Sequence, residues 1–250
     1  MEVDIAFLHE TKITGGLYPR KLQHGYNVIS TNGFSTSRGG VALVWRERGH
    51  FVVKEQRKFH TNVISARIIA GEHKYYVVGC YCPPPLKDRE EAWQHVKKAW
   101  RQCPRGFSPL LMGDLNLDIG RPDPDKQTEL DIVEDIGEMF LEPVEEHFFR
   151  RKGKGIFGTW THRQKRDGKW LSNRLDYILL RREDKKKVSK TRLVWPHHHR
   201  SDHQAIVITL AAGSVKTTKS YFRQLRRFPL QREKGERTEL DELYYDLENR

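Results

Sequence analysis

Apolar residues along this chain fall into short runs separated by polar and turn-forming residues. Ile5 to Leu8, Val41 to Trp45, Phe51 to Lys54, Val63 to Ile69, Tyr75 to Cys80, Leu110 to Met112, Tyr177 to Leu180 and Ile206 to Leu210 predict β-strands. Two segments have a helical period instead. In REEAWQHVKKAWRQ the residues Trp93, Val96 and Trp100 share a face, and in TELDIVEDIGEMF the residues Val133, Ile136 and Phe140 do. Both stripes are expected to pack on sheets, so the pattern predicts an α/β sandwich with sheets inside and helices outside. After Leu210 the pattern changes. Ala211 to Ser214 read as a boundary, followed by the basic YFRQLRRF and the acidic ELDELYYDLENR. The expected division is a domain over 1–212 and a charged, partly helical tail or linker over 213–250. In that tail Leu240, Leu243, Tyr244 and Leu247 fall on one helical face, which either docks on a partner or the domain body, or frays in solvent.

At 250 residues the chain can bury one substantial core. No apolar run approaches the length that spans a bilayer, which argues against a membrane protein. The start MEVDIAFLHE has acids where a signal peptide has bases, and Cys80, Cys82 and Cys103 are odd in number without zinc-ligand spacing. A reduced, intracellular and unsecreted protein is expected. The 45 Lys and Arg outnumber the 33 Asp and Glu, for a formal charge of +12, which attracts a polyanion such as nucleic acid. A highly charged solvated surface is the other reading of the same count.

Four polar segments stand at the ends of predicted strands: Glu10 in HETK, Asp114 and Asn116 in GDLN, Asp176 in RLDY, and Asp202 with His203 in SDH. Cleavage of a phosphoester by a metal enzyme needs hard oxygen ligands, a group that orients water and a donor to the charge on phosphorus. Glu10 can hold a divalent cation, although a Glu at a strand end is ordinary when taken alone. Asp114 can orient or deprotonate water while Asn116 fixes it or the phosphate, yet both are also common turn residues. Asp202 and His203 suit one carboxylate facing a metal and one imidazole facing phosphate. An Asp176 to His203 hydrogen bond would set the imidazole tautomer and favour its charged form. Three adjacent residues, His197 to His199, cannot easily converge on one ion and read as a loop.

In order, the segments FLHETK, RGGVALVW, GCYCPP, LLMGDLNLD, GTWTH, SNRLDYILL and SDHQAIVITL make the chain resemble the endonuclease/exonuclease/phosphatase superfamily from about Asp4 to Leu210. That resemblance implies a DNase-like fold, a four-layer αββα sandwich of two mixed β-sheets flanked by helices. It implies Mg²⁺ or Mn²⁺ on Glu10 with Asp202, water activation by Asp114 beside Asn116, and His203, held by Asp176, against a non-bridging phosphate oxygen. Tyr81, in the Y-x-P position, would lie near the phosphate or leaving group. Lys12, Arg38, Trp160 and Arg174 are expected as substrate contacts. For each a bland alternative stands: a solvated Lys, a glycine-bearing turn beside Arg38, core packing of Trp160 and a surface charge at Arg174.

TWTH, SNRLDYILL and RGGVALVW look most like the endonuclease domains of LINE-type retrotransposons. The implied activity is a metal-dependent nick in DNA that leaves a 3′-hydroxyl, in the nucleus, with a reverse transcriptase as a further partner. An apurinic repair endonuclease is the alternative within the same chemistry, and an inactive nucleic-acid-binding remnant is the alternative of another class. Members of the family ordinarily carry an Asn-bearing strand well ahead of the Glu, and only nine residues precede Glu10 here. The expectation is therefore an N-terminally truncated sandwich in which that strand is missing.

Overall fold

The computed structural model describes residues 3–13, 20–22, 25–33, 39–144, 160–194 and 201–212. In chain order the first strands are β1 (Ile5–His9), β2 (Arg20–Lys21), β3 (Tyr26–Ser30) and β4 (Val41–Arg46). They form one antiparallel sheet in the order β1-β4-β3-β2. Next come β5 (Val52–His60), β6 (Val63–Ala70), β7 (His73–Tyr81), helix α1 (Leu86–Trp100), β8 (Ser108–Asp114), helix α2 (Gln127–Glu138) and β9 (Leu141–Pro143). The chain continues with β10 (His162–Arg166), β11 (Lys169–Asn173), β12 (Asp176–Arg181), a 3₁₀ turn (Arg182–Lys187), β13 (Val188–Val194) and β14 (Ala205–Leu210).

The central sheet has the order β5-β6-β7-β8-β12-β9. Its β7 and β8 run parallel, because α1 returns the chain across the sheet between them. The other ladders of this sheet are antiparallel, which makes it mixed. Both of its faces are covered, and this explains why the apolar runs of β7, β8 and β12 do not alternate with polar residues. On one face Trp93, Val96 and Trp100 of α1 and Ile132 and Ile136 of α2 pack on Tyr76, Val78, Leu111 and Leu179. On the other, Leu43 and Trp45 of the first sheet and Ile206 and Ile208 of β14 meet Ala66, Val77, Leu110 and Ile178.

The α/β sandwich is thus present. Among the described residues α1 and α2 flank the central sheet, and no helix lies on the outer face of the four-stranded sheet. That sheet is antiparallel throughout, not mixed, and β13 pairs with β14 as a separate two-stranded ladder. The helical stripe of α1 is as the sequence predicts, with Trp93 Nε1 also donating to Asp135 Oδ2 of α2 at 2.7 Å. The stripe of α2 needs correction at one end. Phe140 lies beyond the helix, turns into left-handed backbone at φ 55° and is 77% exposed; Ile132 takes the buried place instead. The expected tail over 213–250 lies outside the described residues, and no described helix is long and apolar enough to cross a membrane.

Candidate active site

Strand pairing gathers the site. Asp114, the last residue of β8, is in register with Tyr81 at the end of β7 and with Asp176 at the start of β12. Three chemically active residues therefore stand side by side at one end of the central sheet. Gly113 makes this close approach possible. Its φ is 145°, and a Cβ there would lie 1.8 Å from the carbonyl oxygen of Cys80. From the facing sheet, β1 brings His9 and Glu10 to the same end, where the Tyr81 hydroxyl donates a hydrogen bond to Glu10 Oε1.

The loops that hold these groups are strained. Glu10, Lys12 and Asn116 all have positive φ, at 52°, 54° and 50°. For residues with a side chain this conformation is costly and persists only where surrounding contacts impose it. At HETK, Thr11 N–H donates to Gly40 O at 3.1 Å and Lys12 N–H to Gly39 O at 2.9 Å, so the paired glycines serve as the bed of the Glu10 loop. At GDLN, Asn116 N–H donates to Asp114 Oδ1 at 2.8 Å and its side-chain amide to Oδ2 at 3.1 Å, while the same amide donates to Cys82 O at 2.9 Å. Asn116 is thereby a clamp that fixes the rotation of the Asp114 carboxylate.

Asp176 is shared by two imidazoles. His203 Nδ1 lies 2.8 Å from Oδ2 and His9 Nε2 lies 3.0 Å from Oδ1. Burial alone would raise the pKa of Asp176, but these two partners hold it well below the usual carboxylate range. Burial would likewise lower both histidines. The bond and charge of Asp176, helped by Asp114, outweigh it and raise His203, and the same groups with Glu10 raise His9 to about 9. Asp114 moves the other way, to about 6, because it is buried; the charge of His9 opposes this and that of Asp176 adds to it. One carboxylate is thus held ionised and its neighbour is poised to take up a proton near neutrality.

The SDH segment docks on TWTH. Gln204 N–H donates to Thr161 O at 2.6 Å, Arg163 N–H to Asp202 O at 2.8 Å, and His162 bridges to His203. The fully buried Thr161 hydroxyl accepts the N–H groups of Leu175 and Asp176, both at 3.0 Å, and so ties the start of β12 to this junction. Asp202 pairs with histidines, and its Oδ1 lies 4.0 Å from His203 Nε2. Its carboxylate lies 3.2 Å from His162 Nε2, and its side chain is 60% exposed.

Glu10, Tyr81, Asp114, Asn116, Asp176 and His203 are therefore brought together as the motifs imply, and Asp202 sits at the rim with His162. Trp160 is half-buried, with the Arg163 guanidinium 5.5 Å from its ring. Arg174 is half-buried with its guanidinium 4.8 Å from the Tyr177 ring. Lys12 contributes its backbone to the Glu10 loop, and Arg38 and His197 to His199 lie outside the described residues. Sequence reasoning missed His9, Thr161 and His162. The available signal was position: His9 ends a strand beside Glu10, and Thr161 and His162 directly follow Trp160 in the same motif. Two described groups offer ligand atoms within 4.8 Å of one another at this end: His9, Asp114, Asp176 and His203, and His162, Asp202 and His203.

The sequence model of the Endonuclease/Exonuclease/phosphatase family matches residues 1–203. Comparison with curated proteins gave no match. Among solved structures, the 3′ phosphatase NExo from Neisseria bound to a product DNA hairpin is similar with a TM-score of 0.62 at 19% identity, over 83% of this chain and 89% of that one. The endonuclease domain of TRAS1, a telomere-specific non-LTR retrotransposon, has a TM-score of 0.59 at 16% identity, over 84% and 87%. An AP endonuclease from Archaeoglobus fulgidus has a TM-score of 0.60 at 19% identity, over 83% and 88%. At these identities the likeness is one of fold.

Proposed function

Because the chain belongs to the endonuclease/exonuclease/phosphatase family, we propose that it is a metal-dependent phosphodiesterase acting on DNA, a nicking endonuclease of retrotransposon origin. The observation that carries this reading is the meeting of Asp114 and Asp176 on paired strands, one clamped by an amide and the other shared by two imidazoles. Asp114, with its pKa near 6, accepts the proton of an attacking water whose oxygen forms the new bond to phosphorus. His203, whose pKa the bond and charge of Asp176 raise against burial, offers Nε2, which lies 4.0 Å from Asp202 Oδ1, to a non-bridging oxygen where charge accumulates. Breakage of the bond from phosphorus to O3′, whose oxygen takes up a proton from solvent, leaves a 3′-hydroxyl and a 5′-phosphate. Tyr81 and Glu10, joined by their hydrogen bond, close the site on the side of the facing sheet.

Glu10 offers a hard carboxylate donor for a divalent cation, and the Tyr81 hydroxyl donates to its Oε1. Asp202, expected as its partner, is engaged by His162 in this structure. Mg²⁺ or Mn²⁺, when bound, supplies Lewis-acid stabilisation of the phosphate charge. DNA contact is assigned to the β10–β11 hairpin beside His203, where Lys165, Arg166 and Lys169 are exposed and the Arg163 guanidinium lies 4.3 Å from the ring of the exposed Trp170. Trp160 and Arg174 flank its base, and Arg38 is assigned to the DNA backbone on sequence alone. In a retroelement setting this activity serves a reverse transcriptase and operates in the nucleus.

Two features of the product test the reading. A DNA polymerase should extend the nicked strand without prior phosphatase treatment, and a duplex with one abasic site should be cut no more than about tenfold faster than intact duplex. A much stronger preference for the abasic site would assign the repair reading, which the fold likeness to an AP endonuclease also supports. DNA binding with no cleavage in Mg²⁺ or Mn²⁺ would assign the inactive remnant.

A further inference from the structure

A second cluster of metal-ligand side chains lies away from the catalytic end. His60 is the last residue of β5, and Glu91 and His95 stand four residues apart on one face of α1. His60 Nε2 lies 3.4 Å from Glu91 Oε1. The His60 and His95 rings stack with centroids 4.8 Å apart and planes 14° from parallel. One ligand atom from each of the three residues lies within 4.8 Å of the others. His95 Nδ1 is buried and makes no hydrogen bond among the described residues, a condition that buried polar atoms rarely keep.

We propose that His60, Glu91 and His95 form a site for a divalent transition-metal ion of the zinc class, which pins the β5–β6 turn to α1. Two imidazoles and one carboxylate suit Zn²⁺ or Co²⁺, with water completing a tetrahedron, and do not suit Mg²⁺, which prefers oxygen ligands in an octahedron. Bonds of about 2.0–2.1 Å place tetrahedral ligands roughly 3.3 Å apart, so on binding the side chains close by about an ångström or more and one imidazole turns out of the stack to aim its lone pair at the ion. Glu91 is exposed and gives the ion a path from solvent. At His60 the ion takes Nε2, and the single ring proton moves from there to Nδ1, at the cost of a long 3.3 Å hydrogen bond from Asn62 N–H. Burial, together with the charge of His95, lowers the pKa of His60 against the opposing charge and hydrogen bond of Glu91. Lys58 adds positive charge nearby and opposes the ion in part.

The turn that would be pinned also supports the catalytic end. Asn62 Oδ1 accepts Gly40 N–H at 3.2 Å and Asn62 O accepts Tyr81 N–H at 2.9 Å, so an ion at His60 stiffens the segment that carries Tyr81. The test counts Zn²⁺ bound to the full chain by equilibrium dialysis in excess Mg²⁺, and follows Co²⁺ by its tetrahedral visible absorption. Because the two other described clusters share His203, and the first keeps three ligands without it, His203→Ala with Asp114→Ala serves as the reference background. In that background one ion should remain, and adding Glu91→Ala should weaken it by about tenfold or more, since even the loss of a supporting second-layer partner has that effect. His60→Ala with His95→Ala should remove it and abolish the rise in melting temperature that Zn²⁺ produces. Glu91 is exposed, so its variant keeps the test valid even if the double histidine variant does not fold. Equal Zn²⁺ binding by the reference variant with and without Glu91→Ala, or no ion in the reference variant, would overturn the proposal.

Discussion

Asp176 governs the protonation of everything around it. It carries His9 on one oxygen and His203 on the other, and the adjoining strand sets Asp114 beside it. Two pH dependences follow. His9 has a folded-state pKa of about 9, above its ordinary 6.5. Its contribution to stability is complete below about 6.5 and is lost as pH rises through about 9, by at most about 3 kcal/mol. The depressed pKa of Asp176 reports its pairs with His203 and His9 from the other side, so the His9 pair is not counted twice. Urea denaturation at pH 6.5 and pH 9.5 should show this loss in the wild type and a much flatter profile in His9→Gln; equal slopes would remove His9 from the account. Asp114 sets the second dependence. A base with pKa about 6 must be deprotonated to act, so kcat/KM should fall close to tenfold per pH unit below about pH 6 and level off above it. An acid limb centred near 4 would mean that Asp114 is not the base. The carboxylates, Asn116 and His203 were legible in the sequence because their chemistry recurs at fixed motif positions. His9 was not, since its role exists only because β1 packs across β7 and β8 and so carries His9 to Asp176.

Strands and loops share the work of positioning, and Thr161 is the plainest case. Its hydroxyl is the acceptor for two backbone N–H groups at the start of β12, so Thr161→Val keeps the shape and strands both donors. We expect a loss of about 2–4 kcal/mol in urea denaturation, with Thr161→Ser within about 1 kcal/mol of wild type. A neutral valine variant would show that the donors find other partners. Legibility followed burial in these elements. Strands β7, β8 and β12 of the central sheet were readable because both faces are covered and their apolar runs are unbroken. The β10–β11 hairpin was not, because HRQKR and KWLSN are polar and largely exposed. Its signal was Asp167-Gly168, whose φ values of 50° and 77° suit a tight hairpin turn. Phe140 misled the helical reading because periodicity does not announce where a helix stops.

The molecule as an assembled surface is strongly basic, with a formal charge of +12, and its exposed basic hairpin adjoins His203. Charge reversal at Arg166 and Lys169, which lie outside the catalytic cluster, should weaken duplex binding. It should also reduce the slope of log affinity against log salt by about one for each phosphate that is no longer neutralised. An unchanged slope in the double variant would place the DNA elsewhere. The central claim is that this constellation cuts DNA with a divalent ion, and supercoiled plasmid tests it most directly. Wild-type protein in Mg²⁺ or Mn²⁺ should convert plasmid to the relaxed circle. EDTA should stop the reaction, and Glu10→Ala and Asp114→Ala should each lower the rate by about a hundredfold or more. Plasmid that stays supercoiled with wild-type protein in either metal, or that both variants relax as fast as wild type does, would contradict the account.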